Sequence, residues 1–365
     1  MTLERQVTAL TISDIRARAV IAPLPRPVRT ASGAIEASPL LLLDVHTEQG
    51  VTGSAYLFAY TPLMLPPLQA LVDQLVPLLR GQPVVPLARQ QQLEKQFRLL
   101  GLQGLLGMVV STLDMALWDA LGKAVNQPVA RLLGGEPRAV RAYDSWGLVD
   151  PARDAAALEH SVAQGFTGIK IKLGGGDLAH DLHTVREVRR ILGDGVALMV
   201  DYNQSLGPDE AIRRLRALED FDLEWVEEPV LAEDLQGHAR VRANTRLPIQ
   251  TGENWWFPRD AERALSAQAC DRMMPDLMKI GGITGWMSVM GLARAASMPM
   301  SSHLFIEASA HVLAVTPSCD WLEFMDFGAS VLQSPSRIAQ GGVMAQGPGL
   351  GIAWDEAAVA RYLVP

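Results

Sequence analysis

Only two cysteines, Cys270 and Cys319, occur in 365 residues, too few and too far apart for a disulfide framework, so two free thiols are expected. No basic run is present, and 32 Lys plus Arg against 40 Asp plus Glu leave a formal charge of −8. A phosphate-tracking surface therefore has no visible basis, and no nucleic-acid partner is expected. The first twenty residues lack the charged-then-apolar layout of a signal peptide. The uncharged stretch Leu99–Leu113 is too short to span a bilayer and is broken by Gly101, Gln103 and Gly107. A soluble, cytoplasmic protein with no membrane partner is expected. There is no GxGxxG turn for a dinucleotide and no serine elbow for acyl transfer.

What is present is an ordinary globular mixture, 48% hydrophobic and 20% charged, able to bury a sizeable core. The first part alternates like a small antiparallel sheet. Val7–Ile21, Leu40–Thr47 and Val51–Phe58 read as strands, with Gln49-Gly50 as a turn and the Pro- and Gly-containing Pro25–Ser38 as a loop. From Pro62 to about Gly122 the apolar spacing becomes helical, punctuated by Pro66, Pro77 and Pro83. This predicts an α+β unit over 1–135.

From Val140 short β-rich runs alternate with amphipathic stretches. The runs are Val140–Asp144, Gly168–Leu173, Ala197–Asp201, Leu223–Glu227, Pro248–Gly252, Arg272–Asp276, Pro299–His303 and Trp321–Met325. Pro151–Gln164, Asp181–Leu192, Pro208–Leu218 and Pro258–Ala267 read as helices. Eight such runs can close into an α/β barrel over 136–330. An open doubly wound sheet is the rival layout. The turn-rich residues 331–365 leave the rhythm and are expected to return toward the first unit.

The run ends carry ionisable residues. Lys170 and Lys172 share one strand face because they are two residues apart. Asp201, Glu227, Glu253, Asp276, His303 and Glu323 follow at gaps of 26, 26, 23, 27 and 20 residues. Each gap is about one βα unit, which places them around one mouth, the C-terminal face where barrel active sites lie. One Asp after an apolar run is more often a helix cap; six consecutive run ends are harder to dismiss.

Asp201, Glu227 and Glu253 offer three hard oxygen ligands without thiolate or imidazole, a set suited to Mg²⁺ rather than Zn²⁺. An ion-pair network with the two lysines is the structural alternative. Lys172 is a candidate base, its pKa expected to be lowered by Lys170 and a metal. His303, oriented by Asp276, is a second. Glu323, if protonated, could donate a hydrogen bond to charge building on a substrate oxygen. Two bases flanking one carbon, with a metal and an acid beside them, describe abstraction of a proton next to a carboxylate through an enediolate, with inversion.

Lys170-Ile171-Lys172, the Asp201/Glu227/Glu253 set, the Asp276/His303 pair and Glu323 resemble the mandelate racemase subgroup of the enolase superfamily. The phrases Tyr56-Leu57-Phe58-Ala59-Tyr60-Thr61-Pro62, Val200-Asp201-Tyr202-Asn203-Gln204-Ser205, Met278-Lys279-Ile280-Gly281-Gly282 and Ser301-Ser302-His303-Leu304-Phe305 extend the likeness along nearly the whole chain. The resemblance implies a modified TIM barrel, (β/α)₇β, under an α+β N-terminal capping domain completed by the C-terminal tail. It implies Mg²⁺, or Mn²⁺, on the three carboxylates and a homo-oligomer, an octamer by the same likeness. It further implies Lys172 as base for the S enantiomer, His303 with Asp276 for the R enantiomer, and Glu323 as electrophile. Lys170 and Ser145 would bind the substrate carboxylate and Asn203 its hydroxyl. Pro25–Ser38 would be a specificity lid, with Val28, Ala31, Ile35 and Tyr60 as an apolar wall for an aryl ring.

Departures from the family pattern are Trp146 after Ser145, and Arg26, Arg29, Ser32 and Glu36 in the lid segment. The expected activity is racemisation of mandelate or a similar 2-hydroxy acid. The alternatives are acid-sugar dehydration by the same groups and a non-catalytic carboxylate-binding protein.

Overall fold

Apolar alternation in the N-terminal part builds a three-stranded antiparallel sheet in the computed structural model, which describes residues 9–30 and 33–364. Its strands are β1 (Ile12–Thr30), β2 (Gly33–Thr47) and β3 (Thr52–Phe58). The expected strand start at Val7 lies outside the described residues, as do Ala31 and Ser32.

The expected loop Pro25–Ser38 is instead the far half of a β1–β2 hairpin. The ladder is regular from Asp14↔His46 to Pro23↔Ala37 and resumes at Val28↔Ile35, Arg29↔Ala34 and Thr30↔Gly33. The irregularity between absorbs Pro25 and Pro27, which have no N–H to give a ladder. Four helices follow: α1 (Leu65–Leu79), α2 (Pro86–Gln96), α3 (Leu105–Ala124) and α4 (Val129–Leu132). By length and composition alone, the stretches Pro62–Leu79 and Leu105–Ala124 could cross a membrane. In this fold 83% of the second is buried, packed against the sheet and the barrel.

The eight β-rich runs form a closed parallel barrel. In order come β4 (Ala139–Leu148), α5 (Pro151–Ala163), β5 (Gly168–Lys172), α6 (Leu178–Leu192), β6 (Ala197–Asp201), α7 (Pro208–Leu218), β7 (Leu223–Glu227) and α8 (Leu235–Arg242). Then follow β8 (Ile249–Thr251), α9 (Phe257–Ser266), β9 (Arg272–Met273), α10 (Gly282–Ala295), β10 (Met300–Ser302), α11 (Ile306–Val315) and β11 (Cys319–Phe324). Pairing of β11 with β4 closes the ring. Each strand but β11 is followed by a helix, giving the (β/α)₇β arrangement; the open-sheet rival is set aside.

Residues after β11 run back in two steps, first along the barrel and then to the first sheet. β12 (Gly342–Met344) pairs antiparallel with β4 at its start. Near α12 (Glu356–Tyr362), Arg18 pairs with Glu356 at 2.5 Å, Trp354 Nε1 donates to Asp44 at 2.7 Å, and Val364 N donates to Ala19 O. Pro365 is outside the described residues.

The barrel interior is filled at mid-height by Tyr143, Met199, Trp225 and Trp321. Gly168 makes room for them, since a Cβ there would sit 3.0–3.1 Å from Met199, Trp321 and Tyr143. The charged residues of the mouth stand on this aromatic floor. The two cysteines are free.

Candidate active site

Strand register sets the first geometry. Lys172 lies opposite Asp201 and Asp201 opposite Glu227, so these residues end β5, β6 and β7 at one level. Glu253 follows the end of β8, and Asp276 and His303 form a parallel bridge just beyond β9 and β10. Glu323 lies on β11 opposite Tyr143 of β4. All six run-end groups thus arrive at the C-terminal mouth.

Asp201, Glu227 and Glu253 bring one ligand oxygen each to within 4.8 Å of one another. Three carboxylates with no thiolate form a hard donor set of the kind that holds Mg²⁺. Burial pushes the Glu227 carboxyl well above the usual range, and Asp201 and Glu253 add to this against the pull of Lys170. Such crowding is what a divalent cation relieves.

Lys170 is buried and bridges Glu227 at 2.6 Å and Glu323 at 2.8 Å, with Asp201 at 4.0 Å. Burial works against its charge, but these carboxylates hold its pKa well above normal. The expected ion-pair network with the two lysines is therefore present for Asp201 and Glu227, while Glu253 pairs with His303.

Lys172 Nζ is 3.2 Å from Asp201 Oδ2 and contacts Asn203 Oδ1. Its pKa is raised, contrary to expectation: Asp201 and Glu253 outweigh both burial and the repulsion from Lys170. Asn203 takes a left-handed turn, φ 42°, and its N–H donates to Asp201 Oδ1 at 2.7 Å, which fixes its side chain beside the lysine.

His303 Nδ1 lies 2.5 Å from Asp276 Oδ2, and Nε2 lies 3.4 Å from Glu253. Burial disfavours the imidazolium, yet Glu253, Glu323 and Asp276 push the pKa up to about 9.

Glu323 departs from the neutral donor expected of it. Burial raises its pKa, but Lys170, His303 and the Ser145 hydroxyl bring it down to about 2. The sequence shows the acid but not the two cations folded against it.

The expected apolar wall is divided. Val28, buried, lines a cavity of about 180 Å³ with Leu24, Ser145, Phe324 and Met325. Ile35 is its half-buried cross-strand partner. Tyr60, 46% exposed, stands instead beside Lys279, whose Nζ is 5.1 Å from its ring centre. Ala31 lies outside the described residues.

Trp146 does not enter the mouth. Its ring takes the Arg26 guanidinium at 3.7 Å, and its N–H donates to Asp144, which Arg26 also grips through both oxygens. Arg29 pairs with Asp154 at 3.2 Å, and its carbonyl would lie 2.2 Å from a Cβ at Gly147, so only glycine lets the hairpin dock there.

Sequence reasoning missed a chain of polar groups behind the triad. Lys279 donates to Asn254 Oδ1 at 2.7 Å, and Asn254 donates to Glu228 at 2.7 Å and Glu253 at 3.2 Å. The second acid of Val-Glu-Glu-Pro and the Asn after Glu253 were the available signals.

Comparison with known proteins agrees with this geometry. The family described as Enolase C-terminal domain-like matches residues 153–358, and the Mandelate racemase / muconate lactonizing enzyme N-terminal domain matches 13–134. A crystal structure of an enolase from Bradyrhizobium, complexed with magnesium and mandelic acid, superposes with TM-score 0.97 at 53% identity, covering 98% of this chain and 99% of that one. The 3,6-anhydro-alpha-L-galactonate cycloisomerase of Streptomyces coelicolor is 36% identical over 70% of this chain and 72% of its own. The L-talarate/galactarate dehydratase of Salmonella typhimurium is 35% identical, over 62% of this chain and 58% of its own length. The chain belongs to the mandelate racemase/muconate lactonizing enzyme family of the enolase superfamily.

Proposed function

We propose that the chain is a Mg²⁺-dependent racemase of mandelate or a similar 2-hydroxy acid with an apolar body. The observation that carries this reading is the placement of two bases across one cation-ready triad. Lys172 on β5 leans on Asp201, and His303 after β10 leans on Glu253. In the closed ring these strands are five steps apart one way and three the other, so the bases face a bound α-carbon from different sides.

Asp201, Glu227 and Glu253 would hold the Mg²⁺. When bound, the ion supplies positive charge that polarises the substrate carboxylate and cancels the carboxylates' upward pull on Lys172. Lys170 pairs with the substrate carboxylate, and Ser145 sits beside it. Asn203 binds the 2-hydroxyl. Neutral Lys172 takes the α-proton of the S enantiomer, and cationic His303 delivers one to the opposite face. For the R enantiomer the direction reverses, with Asp276 holding the imidazole by Nδ1. Glu323, ionised between Lys170 at 2.8 Å and His303 at 3.8 Å, anchors those two cations beside the place where charge builds on the enediolate oxygen.

Support for an apolar body comes from the cations of the hairpin side. Arg26 is spent on Asp144 and Arg29 on Asp154, while Val28, Leu24, Phe324 and Met325 line the cavity beside Arg26 and Ser145, with Gln164 and Asp326 at its polar side. With both hairpin arginines already paired, a second substrate carboxylate would find no unpaired guanidinium there among the described residues. The likeness to the Bradyrhizobium enolase, complexed with mandelic acid, supports the same substrate class. The second reading, acid-sugar dehydration, draws on the Salmonella dehydratase likeness and uses the same bases.

The test is proton NMR in D₂O with R-mandelate and Mg²⁺, followed by polarimetry. Loss of the α-proton signal with decay of rotation is expected. No exchange with mandelate, together with a keto-acid product from a sugar acid, would replace racemisation by dehydration.

A further inference from the structure

Trp225 is fully buried in the barrel floor, two residues before Glu227 on the same inward face of β7. Its indole N–H donates to Glu227 Oε2 at 3.1 Å. Gln250, opposite Glu227 in the ladder, brings Nε2 to 3.4 Å from the same oxygen, while Lys170 holds Oε1 at 2.6 Å. Both oxygens of this one carboxylate are thereby fixed from below and from the side. A free carboxylate rotates about its last bond, and the floor removes that freedom.

The ring is itself held in place. Tyr143 packs edge-on to it with centroids 5.4 Å apart, and the Arg272 guanidinium lies 5.8 Å from it. Its N–H has no freedom to seek another acceptor. The neighbouring Trp321 shows that the floor does not require this direction: its N–H faces Glu224, 3.5 Å away, and not the mouth.

We propose that Trp225, assisted by Gln250, is a positioning residue that orients Glu227 for cation binding. This rests on the reading of the triad as a Mg²⁺ site. Outer partners of metal ligands tune affinity by fixing ligand orientation, and losing one typically weakens binding about ten- to a hundredfold.

The experiment is calorimetric titration of the substrate-free protein with MgCl₂. Trp225→Phe keeps the aromatic packing and deletes the N–H, and its Mg²⁺ Kd is expected to rise about tenfold or more. Trp321→Phe makes the same change in the same layer and is expected to bind Mg²⁺ as the wild type does. Gln250→Met is the second probe. The Gln250 Oε1 is buried without a partner, so this change is expected to hold or raise the melting temperature while still weakening Mg²⁺. If the wild type binds no Mg²⁺, the triad reading itself falls. If the wild type binds and Trp225→Phe binds equally well, or Trp321→Phe weakens binding as much, the assignment to Trp225 is overturned. Should Trp225→Phe not melt cooperatively, an unchanged Kd in Gln250→Met overturns it instead.

Discussion

Asp276 Oδ2 lies 2.5 Å from His303 Nδ1, so the imidazole presents Nε2 to the mouth, where Glu253 is 3.4 Å away. Asp276 also accepts from Met278 N at 2.6 Å through its other oxygen, which locks the carboxylate plane. In Asp276→Asn the shape is kept, but the carboxylate that holds Nδ1–H and adds to the pull of Glu253 and Glu323 on the imidazolium is gone. Exchange of the R-mandelate α-proton is expected to fall about a hundredfold or more, the scale of general base catalysis. Measured separately by NMR, exchange from the S enantiomer should fall much less.

Lys172→Ala is expected to give the mirror result. Proton exchange from S-mandelate should be lost by about a hundredfold or more, while R-mandelate still exchanges at His303. Equal loss from both enantiomers, with Mg²⁺ binding intact, would contradict the two-base arrangement.

Arg26→Met is expected to loosen the β1–β2 hairpin without unfolding the barrel. The side chain gives two bonds to Asp144 at 2.8 and 3.0 Å, one to Ser145 O at 3.0 Å, and stacks on Trp146. A bidentate, stacked guanidinium is worth more than an isolated surface pair. Amide hydrogen exchange in Val28–Thr30 and Gly33–Ile35 should quicken about tenfold. Exchange in β6 and β7 should not change.

Asp114, buried in α3, accepts from the backbone and hydroxyl of Thr284 at 2.9 and 2.6 Å. Burial pushes its pKa up to about 7, against those bonds. The folded value lies above the unfolded one, so the native state binds more protons between about pH 4 and 7. Stability from this group is therefore present in acid and lost as pH rises through that window, by at most ~4 kcal/mol. Asn keeps an acceptor for the Thr284 N–H and a donor for its hydroxyl. Urea unfolding of Asp114→Asn should show a smaller loss of stability between pH 5 and pH 8 than the wild type.

The barrel was legible because its strands end where chemistry begins. Ala197–Asp201 and Leu223–Glu227 are apolar runs closed by an acid, and their bounds coincide with β6 and β7. The hairpin was not legible, since Pro25, Pro27 and Gly33 have loop composition while the pairing passes around them. Nor was α11, which is buried nearly all round, so that its polar Glu307, Ser309 and His311 mark no solvent face and the helical period is lost. At the site, residue types were readable and their charge states were not. Glu323 is ionised by Lys170 and His303, which come from β5 and the end of β10, and no spacing announces that meeting. Trp225 was hidden differently: it is two residues before Glu227, but a tryptophan in a strand reads as core.

The return of residues 350–356 to the first sheet has a consequence for the order of assembly on the ribosome. Asp119 in α3 accepts from Leu350 N at 2.6 Å, across 231 residues, and Asp44 accepts from the Trp354 indole. Both acids are buried. When α3 leaves the exit tunnel these partners have not been made, and at about 5–20 residues per second roughly 10–50 s of synthesis separate them. During that interval Asp44 keeps only Arg18 and Ser54, and Asp119 only Ser54 and Lys123, each one donor short of its final set, while all eight barrel strands are completed. The tail therefore closes the cap only after the barrel strands exist, and a nascent chain arrested before residue 350 should leave the β1–β3 sheet more open to protease than the full chain does.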